Sequence, residues 1–514
     1  MDKPVTKVVI AGGGSAGWLT AGLLAAELAG DTENGVQITL VESPDVQTIG
    51  VGEGTWPTMR DTLRKIGIPE SDFLVHCSAS FKQGTQFIGW TNGSEEDRYY
   101  HPFSAPIAYG EMNLAPYWQA QRDKVTFANA VGVQGYLCDR DLAPKQPATP
   151  EYAFVANYGY HLDAGKFAEL LQRHCTEQLG VRHLRDHITH VNGSPEGDIT
   201  SLTTKASGDI EGDLFIDCTG FKSLLLGQHY DVPFVSRSRE LFNDSALAIQ
   251  VPYASPDSPI ASQTNSTAQA AGWIWDIGLQ NRRGVGYTYS SAHTSETDAV
   301  QTLQRYVTAT AKGVSFDFEP RKISFESGHR AHFWHRNCVA VGMSAGFLEP
   351  LEASALVMIE LAGQMISQQF PANRALMDIV ARRYNDVFRY RWDRIIDFLK
   401  LHYVLSQRDD SEFWRDNRSP DSIPDSLAEL LALWAFRAPW HDDFPHQEEI
   451  FSAASYQYVL YGMGFTTRER PTERNRRGSD KAMRLFRQNH EQVNRIIGQL
   501  PSNRSLLSGL RTAA

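Results

Sequence analysis

Two carboxylates, Glu349 and Glu352, lie in the segment Gly346-Phe347-Leu348-Glu349-Pro350-Leu351-Glu352-Ala353-Ser354-Ala355-Leu356. The apolar run Cys338-Val339-Ala340-Val341-Gly342 before them has the length of a buried strand, and the Ala- and Leu-rich stretch after them reads as a helix. Both acids therefore fall where a strand end meets a helix N-terminus. A carboxylate there can stabilise developing positive charge, accept a proton, or answer the helix dipole.

A second group of residues has a spacing that binds phosphate. Lys7 to Ala11 is a short apolar run ending in Gly12-Gly13-Gly14-Ser15-Ala16-Gly17, an Ala/Leu-rich helix follows, and the next strand, Val36 to Val41, ends in Glu42. This is a dinucleotide fingerprint in its proper βαβ context. Gly12 makes the turn, Gly14 admits the pyrophosphate, Gly17 lets helix pack on strand, Ser15 and Ala16 open the helix toward the phosphates, and Glu42 accepts ribose hydroxyls. Asp213-Leu214-Phe215-Ile216-Asp217-Cys218-Thr219-Gly220 and Cys338 to Gly342 supply two further strands.

These elements need a body to hold them. The 514 residues suffice for two or three domains, with 42% apolar and 21% charged content, an ordinary globular composition. A net charge of -11 argues against nucleic acid as a partner. The basic run from Arg468 through Arg470, Arg474, Arg476 and Arg477 is interleaved with acids and reads as a solvated loop. Cys77, Cys138, Cys175, Cys218 and Cys338 are odd in number and lack any CxxC pair, so no disulfide framework or metal site is expected. With neither a signal peptide nor an apolar run long enough to span a bilayer, the chain reads as soluble and cytoplasmic.

The order of the GxGxxG turn, the Asp-Cys-Thr-Gly strand and the Val-Gly strand feeding a helix resembles the FAD-binding fold of aromatic hydroxylases. The expected fold is α/β: an FAD-binding dinucleotide fold of the aromatic-hydroxylase type with a substrate-side β-sheet. Residues 1–370 form this body and residues 371–514 a mainly helical C-terminal subdomain, with helices over Val357–Phe370, Arg374 to about Leu405, Asp425–Phe436 and Lys481–Ile497. No second GxGxxG is present for NAD(P)H. Reduced flavin would come from a separate reductase.

Three further stretches are more specific: Ile49-Gly50-Val51-Gly52-Glu53-Gly54-Thr55-Trp56-Pro57, Ser80-Phe81-Lys82-Gln83-Gly84, and Gly272-Trp273-Ile274-Trp275-Asp276-Ile277. Together with Glu349-Pro350-Leu351-Glu352, His101-Pro102-Phe103, Arg408 to Trp414 and Tyr461-Gly462-Met463-Gly464, this set resembles the flavin-dependent tryptophan halogenases over most of the chain. The resemblance implies that FADH2 and O2 oxidise chloride or bromide to hypohalous acid, which travels inside the protein to Lys82. A lysine partly removed from water suits that use, and Phe81, Phe87, Ile88 and Trp90 give Lys82 apolar neighbours.

Glu352 matches the catalytic glutamate of that family, and Glu349 is read as loop support. Ser354 and Ala355 offer backbone N–H groups to halide, although Ala353-Ser354-Ala355 stands where the family has Ser-Thr-Gly. Trp273 and Trp275 match its flavin-shielding WxWxIP motif, with Gly278 replacing proline. The resemblance extends the cofactor site to Gly54, Ile188, Met343 and Leu356, and is compatible with a homodimer. His101, Phe103, Trp414 and Tyr456 are candidates to sandwich a planar ring. The region near Tyr456 and Gln457 lacks a convincing clamp for an amino acid, so indole or a substituted indole is expected over free tryptophan. Two other activities fit the same fold: a single-component aromatic monooxygenase, and a flavin-binding protein without catalysis.

Overall fold

The run Lys7–Ala11 is apolar on both faces, as a strand covered on both sides requires. In the computed structural model, which describes residues 3–29, 35–45, 52–311, 313–446, 448–470 and 472–513, it is the parallel strand β1. Helix α1 (Ser15–Leu28) and strand β2 (Gln37–Glu42) follow. The six-stranded sheet around β1 runs Trp334–His335, Cys338–Ala340, Leu214–Asp217, β1, β2, Arg182–Arg185, and only its first pair is antiparallel. Gly12 turns the chain at φ +113°, and a Cβ there would stand 2.2 Å from the Cys218 carbonyl oxygen, so strand Leu214–Asp217 tolerates only glycine at this corner. Ile49-Gly50-Val51 and Pro471 lie outside the described residues.

Short strands then build the substrate side: β3 (Gly52–Gly54), β4 (Ser80–Lys82), β5 (Gly84–Ile88), β6 (Arg98–Pro102) and β7 (Gly159–Asp163). β3 and β4 flank β7 in an antiparallel sheet, with Gly54 opposite His161 and Lys82 opposite Gly159. β5 and β6 form one edge of a seven-stranded sheet that also contains Thr264–Gln269, Gly272–Gly278 and Arg282–Tyr289. Lys82 therefore ends one sheet and Gly84 begins another. Gln83, whose carbonyl accepts the Phe103 N–H at 3.0 Å, joins them.

After Phe347 the described residues contain helices and no strand. The helices begin and end close to expectation at Ser354–Gln368, Arg374–Val404 and Asp425–Trp434. The last long helix differs: it runs Glu473–Ile497 and absorbs Arg474, Arg476 and Arg477 of the basic stretch expected to be a loop, while Arg468 and Arg470 stay outside it. Thr472 caps it by accepting from Asn475 N at 3.1 Å, and Glu473 pairs with Arg476 and Arg477 one turn on, a start that charge alternation alone does not announce.

Behind β4 sits a closed polar cluster. Glu70, 2% exposed, accepts from the Tyr158 and Tyr160 hydroxyls at 2.5 and 2.7 Å, and from Lys145 Nζ and Tyr152 N at 2.5 and 2.8 Å. Phe81 packs edge-on against Tyr158 and braces the strand. Removing one partner of a buried pair strands the other. Glu70→Ala is expected to cost about 3 kcal/mol or more in denaturant unfolding, although Glu70 is no part of the candidate site.

Candidate active site

Strand alternation decides what surrounds Lys82. Phe81 and Lys82 point to opposite faces, and Phe81 faces Tyr158 and Tyr160. Phe87 and Trp90 likewise pack on each other and on His402. The aromatic neighbour of the lysine is instead Phe103, whose ring centre lies 5.3 Å from Nζ. The approach is made possible by Gly54: a Cβ there would stand 3.0 Å from Lys82 Nζ and 3.3 Å from Ala353 Cβ. Lys82 is 1% exposed, and burial lowers its pKa to about 8, against the opposing pull of Glu352.

Glu352 sits in a strained backbone. Both Glu352 (φ +63°) and Ala353 (φ +55°) are left-handed without being glycine, a conformation costing on the order of 1–3 kcal/mol each. The helix Ser354–Gln368 starts immediately after, with no side-chain cap from Ala353, so its first N–H groups lack intrahelical acceptors. The carboxylate is buried, and both of its histidine neighbours sit on one oxygen: His101 Nδ1 at 2.8 Å and His402 Nε2 at 3.1 Å from Oε1. Burial alone would raise this carboxyl, yet the two imidazoles hold it well below the usual carboxylate range. Burial also lowers the pKa of His402, favouring neutral imidazole. The Tyr99 hydroxyl lies 2.8 Å from His402 Nδ1, while His402 Nε2 meets Glu352 Oε1 as a close contact outside hydrogen-bonding geometry.

Glu349 occupies a different environment, although it is only three positions away. Its Oε2 accepts from Trp273 Nε1 at 2.8 Å, Asn243 Nδ2 at 2.6 Å and the Tyr403 hydroxyl at 2.7 Å. Burial raises its pKa and the three donors oppose that rise. The same burial pushes neighbouring Lys400 down to about 7. Trp273 is thus 1% exposed and tied through its N–H, while Trp275 packs edge-on beside it at 6.3 Å, with its ring over Gly286.

The glycine turn fits a dinucleotide. Helix α1 starts at Gly14 with no side-chain cap, leaving its first-turn N–H groups at Ser15, Ala16 and Gly17 for an anion. Glu42 leans over Gly13, where a Cβ would stand 2.3 Å from the carboxyl carbon, and His183 Nε2 steadies it at 2.8 Å. Met343, 38% exposed, lies beside Gly220 at the same end of the sheet. Ile188 is half-buried at the start of its strand and Leu356 is buried in the helix after Glu352.

Lys82, His101, Phe103 and Glu352 come together; Trp414 and Tyr456 do not join them. Trp414 is fully buried against Trp90 and Tyr403, with its N–H bound to the Gln269 carbonyl oxygen. Tyr456 is fully buried among Phe398, Trp434 and Phe444. Each faces the core side of its own short helix. The structure adds residues that sequence reasoning passed over. His402 is delivered from more than 300 positions beyond His101 by the helix Arg374–Val404, and no local pattern marks it. Phe451 stacks on Phe398 at 3.7 Å and tilts against Trp56 at 4.8 Å.

A dinucleotide turn joined to a buried lysine and a buried carboxylate defines a flavoenzyme of the halogenase class. The tryptophan halogenase family model matches residues 7–476, and the chain belongs to that family. It is a flavin-dependent halogenase, which acts with a separate flavin reductase. It is similar to the tryptophan halogenase of Shewanella frigidimarina NCIMB 400, at 52% identity and TM-score 0.95 over 99% of this chain and 98% of that one. BrvH, a flavin-dependent halogenase from Brevundimonas sp. BAL3, is 31% identical at TM-score 0.86, over 98% and 99%. The tryptophan 6-halogenase SttH of Streptomyces toxytricini is 34% identical over 89% of both chains. Among the described residues no helix is long and apolar enough to cross a membrane, and no group of His, Cys, Asp and Glu could hold a metal ion.

The buried lysine has a signature in stability. Because its folded pKa of about 8 lies below the ordinary 10.5, the unfolded chain keeps the proton between those values, and stability rises with pH across that window. Lys82→Met is expected to stabilise the protein near pH 7 by on the order of 3 kcal/mol. That advantage should shrink between pH 8 and 10.5, measured by urea unfolding at each pH.

Proposed function

We propose that this enzyme halogenates an electron-rich aromatic, indole or a substituted indole, with hypohalous acid held at Lys82 and the ring proton taken by Glu352. The supporting observation is the convergence of a buried lysine and a buried carboxylate beside Phe103, from segments 270 positions apart. Gly12, Gly14, Gly17 and Glu42 would hold reduced FAD, which with O2 would supply the oxidising equivalent that turns chloride or bromide into hypohalous acid. The N–H groups of Ser354 and Ala355 offer halide a positive helix end.

The remaining chemistry belongs to the side chains. The ring carbon bonds to halogen as the O–X bond breaks, and the Lys82 ammonium gives its proton to the departing hydroxide, forming water. Positive charge on the ring is stabilised by Glu352, whose Oε2 is left free by the two histidines and takes the proton from the substituted carbon. Passing that proton back to Lys82 closes the cycle. Burial keeps water from competing with the ring.

The preference for indole over free tryptophan rests on the two polar groups beside Tyr456 that are already engaged. The Gln457 amide is spent on Asn113 and the Pro439 carbonyl oxygen, and the Tyr458 hydroxyl donates to the Ser104 carbonyl oxygen. Glu449 accepts from the Tyr390 hydroxyl. The Gln457 amide and the Tyr458 hydroxyl are thus engaged, whereas Glu449 Oε2 and the Tyr456 hydroxyl keep no hydrogen-bond partner among the described residues. The five cysteines are free and buried, which supports action in a reducing cytoplasm.

The test supplies reductase, NADH, FAD and bromide or chloride, and scores halogen isotope patterns by mass spectrometry. Halogenated indole should form with higher kcat/KM than halogenated tryptophan, and Lys82→Ala should abolish product while FAD still binds. Full activity in that variant would remove Lys82 from the mechanism. A separate expectation concerns His402, which lowers the Glu352 pKa. In His402→Phe the acidic limb of the kcat profile should move to higher pH, because the carboxylate then protonates more readily.

A further inference from the structure

Trp56 stands outside the roles derived so far. It follows β3, and its indole Nε1 donates to the carbonyl oxygen of Glu352 at 2.7 Å, across 296 positions of sequence. That carbonyl belongs to the peptide joining the two left-handed residues, Glu352 and Ala353. Neither is glycine, so the conformation persists only where contacts from outside the segment hold it.

A half-buried indole beside a carbonyl is also an ordinary way to satisfy a donor. Two observations argue for more. First, the acceptor is the backbone of the residue whose carboxylate is already held through Oε1 by the hydrogen bond with His101 Nδ1, with His402 Nε2 3.1 Å away. With the carbonyl and Oε1 both tied, the direction of Oε2 is determined. Second, Trp56 is itself fixed: its ring tilts on Phe451 at 4.8 Å, and Phe451 stacks on Phe398 and lies 6.5 Å from His101. Two residues earlier, Gly54 opens the space in which Lys82 Nζ and Ala353 meet. One short segment thus makes room for Lys82 and orients Glu352.

We propose that Trp56 is a positioning residue whose indole N–H sets the angle of the Glu352 carboxylate toward the aromatic substrate. Losing it impairs ring substitution and spares halide oxidation. This rests on the halogenation reading above, so the experiment separates the two.

Trp56 is replaced by β-(3-benzothienyl)alanine, which keeps the bicyclic shape and exchanges N–H for sulfur, and in parallel by Phe (Trp56→Phe). Each full-length enzyme is loaded with FAD and assayed with reductase, bromide and indole for bromoindole. A second assay without indole measures hypobromous acid with a soluble β-diketone trap. The kcat for bromoindole should fall about ten- to a hundredfold in the isosteric variant, with hypobromous acid formation and the KM for indole both within about twofold of wild type. Wild-type kcat in the isosteric variant would overturn the proposal, as would a parallel loss of both activities, which would make Trp56 a support of the flavin side. Should Trp56→Phe fail to fold, the isosteric variant still decides. A wild-type enzyme that makes neither product would instead sink the halogenation reading itself.

Discussion

Two opposite charges, Lys82 and Glu352, are buried in one pocket, and the surrounding structure is organised around the cost of keeping them there. Desolvation works against both: it pulls the lysine down to about 8 and would push the carboxyl up. The carboxylate is kept ionised by two imidazoles on a single oxygen. The lysine has no comparable partner among the described residues. Its charge is opposed by burial and supported by Glu352 and by the face of Phe103. An ammonium so weakly held gives up its proton readily, whereas a carboxylate so firmly held stays charged.

The two neighbouring glutamates illustrate how environment assigns roles. Glu349 is enclosed by neutral donors on one oxygen and supports the loop through Trp273, Asn243 and Tyr403. Glu349 leaves its Oε1 without a partner among the described residues, so what sets Glu352 apart is that its neighbours are imidazoles and a buried lysine. Three positions of sequence separate them, and a reversal of backbone handedness at Glu352 turns its side chain into a different cluster.

Much of this was legible in the sequence, because the legible parts rest on local physics. The glycine turn, Glu42 at the end of its strand, and the helix after Ala353 all follow from spacing that short-range sterics enforce. What sequence could not give was contact between distant segments. His402 arrives on a long helix whose register no local pattern fixes, and Trp56 was visible in a motif without any sign of its acceptor. The ring-sandwich expectation for Trp414 and Tyr456 rested on residue type alone, and type does not say which face of a short helix is buried. The same limit applied to Phe81, Phe87 and Trp90, whose proximity in sequence to Lys82 is undone by strand alternation.

The departure at Ala353-Ser354-Ala355 gains a physical meaning from this geometry. A residue at position 353 must adopt a left-handed backbone and also place its Cβ 3.3 Å from where a Cβ on Gly54 would be. Gly54 in turn stands against Lys82 Nζ. The contact therefore demands glycine at position 54 rather than alanine at 353, and alanine is the smallest side chain there that carries a Cβ. The halide contact proposed above, through backbone N–H groups, would not depend on the side chains of residues 353 and 355. What alanine forgoes is a hydroxyl beside the carboxylate, and here Glu352 already draws its support from two histidines instead.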